Sequence, residues 1–244
     1  MNVAVIIPAR HASSRLPGKP LVSLCGVPMV VRTWQRCASA IDPSRVYVAT
    51  DDERIRDTCT QHGIQVLMTS SECLTGTDRV AEAATQLNAD VLINVQGDEP
   101  LFDPADLHLL LAGIARHPGE ILNGYCAITD ADSFFRRSIP KVVFRQDGRL
   151  LYMSRSGIPG TKEGHFSKGW RQVCAYAFPR TALEAFVSRT TKTPLESDED
   201  IEILRFLELG FEVRMLEMSS QSIAVDLPED VLRAEAAIRE RGLA

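Results

Sequence analysis

Three basic residues surround a short loop near the start of the chain, and their number and spacing suit a polyphosphate. Arg10, Arg15 and Lys19 follow the apolar run Val3–Ile7. The small residues between them are Ala12, Ser13, Ser14 and Gly18. Small side chains let backbone N–H groups approach an anion, and three fixed cations match several phosphate groups better than one carboxylate. The alternative is a solvated basic loop, since lysine and arginine are commonly exposed.

This loop differs from two familiar phosphate-binding fingerprints. No G-x-G-x-x-G motif follows the first apolar run, which disfavours an NAD-dependent oxidoreductase. Gly18 and Lys19 are followed by Pro20, whereas a Walker A motif requires serine or threonine there. The sequence therefore predicts a phosphate loop of another kind.

A carboxylate follows a second apolar segment of the chain. Gln96, Gly97 and Asp98 come directly after Asp90–Val95. The carboxyl ends of parallel strands line one edge of an α/β sheet, so we expect Asp98 beside the basic loop. A carboxylate that faces bound phosphates commonly holds Mg²⁺. The alternative is that Asp98 only caps the next turn.

The composition excludes several classes of protein. The 244 residues are 45% hydrophobic and 24% charged, and the net charge of −5 argues against nucleic acid as the main partner. Six cysteines and five histidines form neither a C-x-x-C pair nor a ligand-spaced cluster, so no disulfide framework or zinc site is predicted. No leader pattern and no membrane-length apolar run is present, which predicts a soluble, cytoplasmic protein with no membrane partner.

Strands and helices alternate through the first part of the chain, a pattern typical of a three-layer, mostly parallel α/β sheet. The predicted strands are Val3–Ile7, Arg45–Ala49, Gln65–Met68 and Asp90–Val95. The predicted helices are Pro28–Ala40, a segment from Asp52 to about Gln61, Thr77–Leu87 and Asp103–Arg116.

The pattern changes near Asp130 and becomes rich in β-structure. Lys141–Arg145 and Leu150–Ser154 flank a glycine-containing turn and are predicted to form an antiparallel hairpin. Residues 130–179 are therefore predicted to be a smaller β-rich insertion in an α/β domain formed by residues 1–129 and 180–244. The elements predicted after the insertion are helices at Thr181–Arg189, Ser197–Leu209 and Pro228–Arg241, and a strand at Glu212–Leu216.

Residues 6–21, IIPARHASSRLPGKPL, carry a resemblance to a known family. Further motifs match in order at residues 49–52, 75–79, 94–100, 151–155 and 225–230. Together they resemble the CMP-Kdo synthetases, the cytidylyltransferases that activate 3-deoxy-manno-octulosonate (Kdo) for lipopolysaccharide synthesis. The resemblance implies a Rossmann-like nucleotidyltransferase sheet of the glycosyltransferase-A type and Mg²⁺ as cofactor. It also implies that the insertion, residues 130–179, covers the acceptor site and builds a homodimer.

The resemblance also implies roles for residues of the nucleotide half. Lys19, Arg10, Arg15 and Asp98 would be catalytic, with the three cations holding the triphosphate of CTP. Asp98 and Asp226 would hold Mg²⁺. The nucleotide-binding residues implied are Pro8, Ala9, Arg10, Arg15, Lys19, Thr75, Gly76, Thr77, Arg79 and Gln96.

Asp226 has a competing interpretation. It stands shortly before the helix predicted from Pro228, where it could act as a cap. The family commonly has threonine at the next position, but Leu227 has no capping group. The metal role is favoured here.

The acceptor half matches the family less closely. The acceptor-binding residues implied are Lys141, Arg155, Tyr176, Glu196 and Glu202. Nearby, Gln172 replaces a histidine and Ile203 replaces a glutamine. Replacing a side chain that can hydrogen-bond a sugar hydroxyl changes the selectivity of a site among sugars. Glu196, Glu199 and Glu202 stand at three-residue spacing, which is also compatible with a solvated helix face.

The predicted function is transfer of CMP from CTP to Kdo, with pyrophosphate as leaving group and no covalent intermediate. One alternative is a cytidylyltransferase for a modified Kdo, such as 8-amino-Kdo, or for another 3-deoxy-ulosonic (sialic-type) acid. Another is a nucleotide-binding regulatory module without catalysis. The presence of Lys19, Asp98 and Asp226 disfavours the regulatory module. A protein that only senses a nucleotide does not need the full set of residues that bind the metal and the phosphates.

Overall fold

A computed structural model describes residues 1–13 and 15–244; Ser14, one of the small residues of the basic loop, lies outside the described residues. The chain divides into two compact units, residues 1–108 with 221–244 and residues 109–220. The assignment of residues 130–179 to acceptor binding and dimerisation stays a prediction. None of the helices in the described part of the chain is long and apolar enough to cross a membrane.

Eleven strands and nine α-helices lie within the described residues. The strands are β1 Val3–Pro8, β2 Ser23–Leu24, β3 Val27–Pro28, β4 Val46–Thr50, β5 Gln65–Met68, β6 Val91–Val95, β7 Ile121–Ile128, β8 Lys141–Phe144, β9 Leu150–Ser154, β10 Gly169–Pro179 and β11 Val213–Glu217. The helices are α1 Met29–Ala38, α2 Glu53–Gln61, α3 Gly76–Ala84, α4 Pro104–Arg116, α5 Ala131–Phe135, α6 Arg180–Val187, α7 Pro194–Glu199, α8 Ile203–Glu208 and α9 Pro228–Glu240.

The first unit is built on parallel strands in the order β6–β1–β4–β5. Val5 of β1 lies opposite Ile93 of β6 on one side and Val46 of β4 on the other. Every residue of β1 and β6 is buried, as expected for parallel strands covered on both faces. The four predicted strands and their parallel arrangement are confirmed.

The predicted start and end of α2 are also confirmed. The Asp52 carboxylate accepts a hydrogen bond from the Arg54 backbone N–H at 2.9 Å. The Arg54 side chain pairs with the same carboxylate and lowers the pKa of Asp52 to about 2. Gly63 follows α2 with φ of 72°, a left-handed conformation that favours glycine.

The second unit contains an antiparallel sheet with one parallel neighbour. β7 pairs antiparallel with β10 and parallel with β11. β8 and β9 form the predicted hairpin, with Val142 opposite Met153, and Lys141 joins it to β10 opposite Arg171. The mixed α/β class is thus confirmed.

The single helix predicted at Ser197–Leu209 is wrong, because α7 and α8 are separate. Asp200 adopts a left-handed conformation with φ of 50° between them. The Glu199 and Asp200 carbonyls accept hydrogen bonds from the Arg155 guanidinium at 2.5 and 2.9 Å, so these carbonyls are turned away from a continuous helix. The short helix α5, which begins after its cap Asp130, was not predicted.

Candidate active site

The basic loop leaves β1 and closes back on itself before Lys19. The Gly18 N–H donates to the His11 carbonyl at 3.3 Å. Gly18 has φ of 67°, and a side chain there would start 3.2 Å from the His11 imidazole. Glycine is therefore required for the turn that delivers Lys19. Arg10 and Arg15 are exposed on the loop.

Lys19 lies between two carboxylates that are far apart in sequence. Its Nζ is 2.6 Å from Asp98 Oδ2 and 2.9 Å from Asp226 Oδ1. Arg15 Nη2 is 3.1 Å from the same oxygen of Asp226. Burial alone would lower the pKa of the Lys19 ammonium, but the charges and hydrogen bonds of Asp98 and Asp226 outweigh it and raise that pKa. The structure thus brings four of the predicted residues together.

Two features of the backbone hold Asp98 and Asp226 close to each other. Gly97 lets the end of β6 pass against β1, because a Cβ there would lie 2.7 Å from the Pro8 carbonyl oxygen. The Val225 N–H donates to the Asp98 carbonyl at 3.0 Å, which ties the segment before α9 to the end of β6. The position of the carboxylate pair is therefore set by backbone contacts as well as by Lys19.

The two carboxylates fit a hard cation that also binds phosphate oxygens. Both reach the same ammonium, so a cation placed between them would meet an oxygen from each. Mg²⁺ typically takes one or two carboxylates plus substrate oxygens and water. No group of three potential metal-ligating side chains occurs among the described residues. Asp98 and Asp226 are therefore the residues that would hold the cation together with phosphate oxygens and water.

The capping role that was the alternative for Asp226 is filled by another residue. Leu227 is the N-cap of α9, and the Asp230 carboxylate accepts hydrogen bonds from the N–H groups of Asp226 and Leu227 at 3.1 and 3.0 Å. Asp230 was missed in the sequence, although an acidic residue three positions after an N-cap is a recognised helix-start signal. The Asp226 side chain is thereby left to Lys19 and Arg15.

The start of α3 lies beside the end of β6. Thr75 is the N-cap of α3, and its Oγ1 accepts from the Asp78 N–H at 3.2 Å. A Cβ at Gly76 would lie 3.1 Å from the Gln96 amide nitrogen, so the absent side chain lets Gln96 pack on the helix start. Thr75 thus caps α3, and the nucleotide role of this segment stays a prediction.

Arg79 is buried and already engaged. Its guanidinium donates to Thr69 Oγ1 at 2.5 Å and lies 3.3 Å from Asp51 Oδ1. Its side chain is only 4% exposed. This arrangement does not support direct contact between Arg79 and a nucleotide, and indicates instead that Arg79 anchors α3 to the ends of β4 and β5.

Two predicted acceptor residues, both in the second unit, are likewise engaged within the protein. Lys141 Nζ donates to the carbonyls of Arg136, Ile139 and Arg155 at 2.9, 2.6 and 2.6 Å, and burial lowers its pKa. Three carbonyl partners use all three ammonium protons, so direct acceptor binding by Lys141 is not supported.

Glu196 is the second such residue, and its side chain is fully buried against Arg205. Arg205 Nε and Nη2 donate to its two carboxylate oxygens at 2.6 and 2.7 Å. The alternative that Glu196 lies on a solvated helix face is therefore wrong. Direct contact between Glu196 and an acceptor is not supported either.

The other three predicted acceptor residues differ in exposure. Arg155 and Glu202 are half-buried, and Tyr176 is 7% exposed and stacked on Phe178 with 5.5 Å between ring centroids. The Arg155 guanidinium also donates to the Arg137 carbonyl at 3.2 Å. Acceptor binding by these three residues stays a prediction.

Comparison with known proteins places this chain in a family. The family model described as cytidylyltransferase matches residues 4–218. The 3-deoxy-manno-octulosonate cytidylyltransferase of Myxococcus xanthus is 42% identical over 99% of this chain and 98% of its own length. The 8-amino-3,8-dideoxy-manno-octulosonate cytidylyltransferase of Shewanella oneidensis is 38% identical over 96% and 98%.

A solved structure agrees with these sequence relatives. The structure of CMP:2-keto-3-deoxy-manno-octonic acid synthetase complexed with CTP has a TM-score of 0.92 and 32% identity, and the match covers 99% of this chain and 100% of that one. The predicted resemblance and fold are confirmed. The chain belongs to the cytidylyltransferase family and, within it, to the group that contains the 3-deoxy-manno-octulosonate cytidylyltransferases.

Proposed function

We propose that this chain is a Mg²⁺-dependent enzyme that transfers CMP from CTP to Kdo and releases pyrophosphate. The observation that carries the proposal is the Lys19 ammonium held at 2.6 and 2.9 Å between Asp98 and Asp226. Relatives that match this chain over nearly its whole length are named for the same reaction. A cytoplasmic location and a homodimer are proposed on the resemblance to the family.

The charges of the first unit suit in-line phosphoryl transfer. Arg10, Arg15 and Lys19 would bind the triphosphate of CTP and offset its negative charge. Mg²⁺, when bound, would be held by Asp98 and Asp226 and would supply further positive charge at the phosphate oxygens. The acceptor hydroxyl forms the new bond to the α-phosphorus and releases its proton to solvent, while the bond from that phosphorus to pyrophosphate breaks. Positioning and charge neutralisation carry such a reaction, so no nucleophilic side chain is required.

A second candidate differs only in the acceptor. Relatives from several Shewanella strains that are named for 8-amino-3,8-dideoxy-manno-octulosonate are 37–39% identical to this chain. The replacements at Gln172 and Ile203 fall beside the predicted acceptor residues. The amino sugar is therefore a specific alternative to Kdo.

Pyrophosphate release distinguishes these acceptors. The protein would be incubated with CTP and Mg²⁺ and, in separate reactions, with Kdo, 8-amino-Kdo or N-acetylneuraminate. We expect the highest kcat/KM with Kdo. A preference for 8-amino-Kdo would select the second candidate, and no release with any of the three acids would contradict the proposed function.

Asp98→Asn tests the metal assignment. The substitution keeps the shape of the side chain but removes the charge that a hard cation needs, so turnover should fall about 100-fold or more. The circular dichroism spectrum should be unaltered. Asp103→Asn is the matched control, because Asp103 caps the start of α4 by accepting from the Ala105 N–H at 3.0 Å, a role that asparagine also performs. An Asp98→Asn variant as active as that control would contradict the assignment.

A further inference from the structure

The strand β10 contains an irregularity directly before Tyr176. Val173 lies opposite Gly124 of β7, but the next paired position is Tyr176 opposite Asn123. Two residues of β10 therefore stand where β7 has none. Such a bulge bends a strand and changes the direction in which the following side chain points.

A fully buried amide holds this bulge. Asn123 Nδ2 donates to the carbonyls of Val173 and Ala175, each at 3.0 Å. These carbonyls lie within the irregular stretch, so the side chain supplies hydrogen bonds where the regular ladder is interrupted. An unmatched buried carbonyl would be costly, so the two hydrogen bonds from Asn123 stabilise this backbone conformation.

Gln172 completes the arrangement. Its Nε2 donates to Asn123 Oδ1 at 3.0 Å, and Gln172 is itself 7% exposed. The two carbonyls require the NH₂ group of Asn123, so the Asn123 oxygen must face Gln172. Each polar atom of the Asn123 side chain is therefore used, and its orientation is determined. Gln172 is also one of the positions at which the resemblance implies another residue, a histidine, in the family.

We propose that the Asn123–Gln172 amide pair is a positioning element for acceptor recognition, because it holds the bulge that places Tyr176. Neither amide touches the acceptor in this proposal; both act through the backbone on either side of Tyr176. The inference rests on the proposed function, since the acceptor role of Tyr176 comes from it.

The experiment compares three variants in the full-length protein. Asn123→Ala removes both hydrogen bonds to the bulge, and Gln172→Leu removes only the partner that orients Asn123. Gln172→His keeps a side-chain N–H that can donate to Asn123. The measurements are KM for Kdo, KM for CTP, kcat, and deuterium exchange of the backbone at residues 172–178. Leu183→Ala is the control for general loss of stability, because Leu183 is buried in the same unit but lies on α6.

We expect Asn123→Ala and Gln172→Leu to raise KM for Kdo about tenfold, with KM for CTP unchanged. Deuterium exchange at residues 172–178 should accelerate in both. In Gln172→His, the KM for Kdo should stay close to the wild-type value. If Asn123→Ala does not fold, Gln172→Leu with Gln172→His still tests the pair.

Two outcomes would overturn the inference alone, provided that the wild-type protein is active. One is an unchanged KM for Kdo in Gln172→Leu despite faster exchange at the bulge. The other is the pattern expected of Leu183→Ala, in which the active fraction falls and neither KM changes. Failure of the wild-type protein to release pyrophosphate with any acid overturns the proposed function, and the inference with it.

Discussion

Asp226 reaches Lys19 because a different carboxylate satisfies the start of α9. Asp230 accepts from two backbone N–H groups, and its side chain is only 13% exposed. The N-cap itself, Leu227, contributes no side-chain hydrogen bond. A residue with a capping group at this position would add a hydrogen bond without competing for the Asp226 carboxylate.

We therefore predict that Leu227→Thr raises the free energy of unfolding by about 1 kcal/mol, because a threonine hydroxyl can accept from an N–H group of the first turn. The rate of pyrophosphate release should not change, since the Asp226 carboxylate keeps its partners. Urea denaturation followed by circular dichroism measures the first effect. Leu232→Thr is the control, because Leu232 is 71% exposed inside α9, where threonine lowers helix propensity by up to about 0.7 kcal/mol. A Leu227→Thr variant no more stable than wild type would contradict the capping argument.

The helices α7 and α8 are joined by an ion pair rather than by continuous helix. Glu196 of α7 and Arg205 of α8 are both fully buried, and the Arg205 guanidinium lies 3.7 Å from the centre of the Phe186 ring. Glu196 also accepts from the Thr193 N–H at 3.1 Å, so one carboxylate both caps α7 and neutralises a buried arginine. Because this ion pair is buried, the break between α7 and α8 at Asp200 belongs to a well-packed part of the structure.

We predict that Glu196→Gln lowers the free energy of unfolding by about 3 kcal/mol, because the buried Arg205 loses its counter-charge. The KM for Kdo of the folded fraction should stay within twofold of wild type. Glu184→Gln makes the same charge change at an exposed position of α6 and should alter stability by less than about 0.5 kcal/mol. Chemical denaturation and steady-state kinetics on the same preparations measure both quantities. A raised KM for Kdo with an unchanged free energy of unfolding would instead support the predicted contact between Glu196 and the acceptor.

Over the whole molecule, sequence reasoning succeeded where pattern alone determines position. The apolar runs of β1 and β6 predicted buried parallel strands, and parallel strands bring their carboxyl ends together, so Lys19 and Asp98 meet. It failed where a charged residue is neutralised by a partner that no local pattern reveals. Arg79 and Glu196 have residue types suited to ligand binding, yet each is buried against protein groups. Asn123 carries no local motif at all, because its role depends on a bulge in another strand.

The position of Asp226 at the far end of the chain from Lys19 links ligand binding to the stability of the whole first unit. Ligand that binds only the folded state at about 100 times its Kd stabilises it by about 2.7 kcal/mol. CTP with Mg²⁺ should therefore raise the Tm, and CTP with EDTA should raise it less. In Asp226→Asn we expect the shift with CTP and EDTA to remain and the additional shift with Mg²⁺ to be lost. Glu229→Gln makes the same charge change on an exposed residue of α9 and should keep the Mg²⁺ increment, as measured by differential scanning calorimetry. A full Mg²⁺ increment in Asp226→Asn would mean that Asp98 binds the cation without Asp226, and the pairing of these two carboxylates would then serve Lys19 alone.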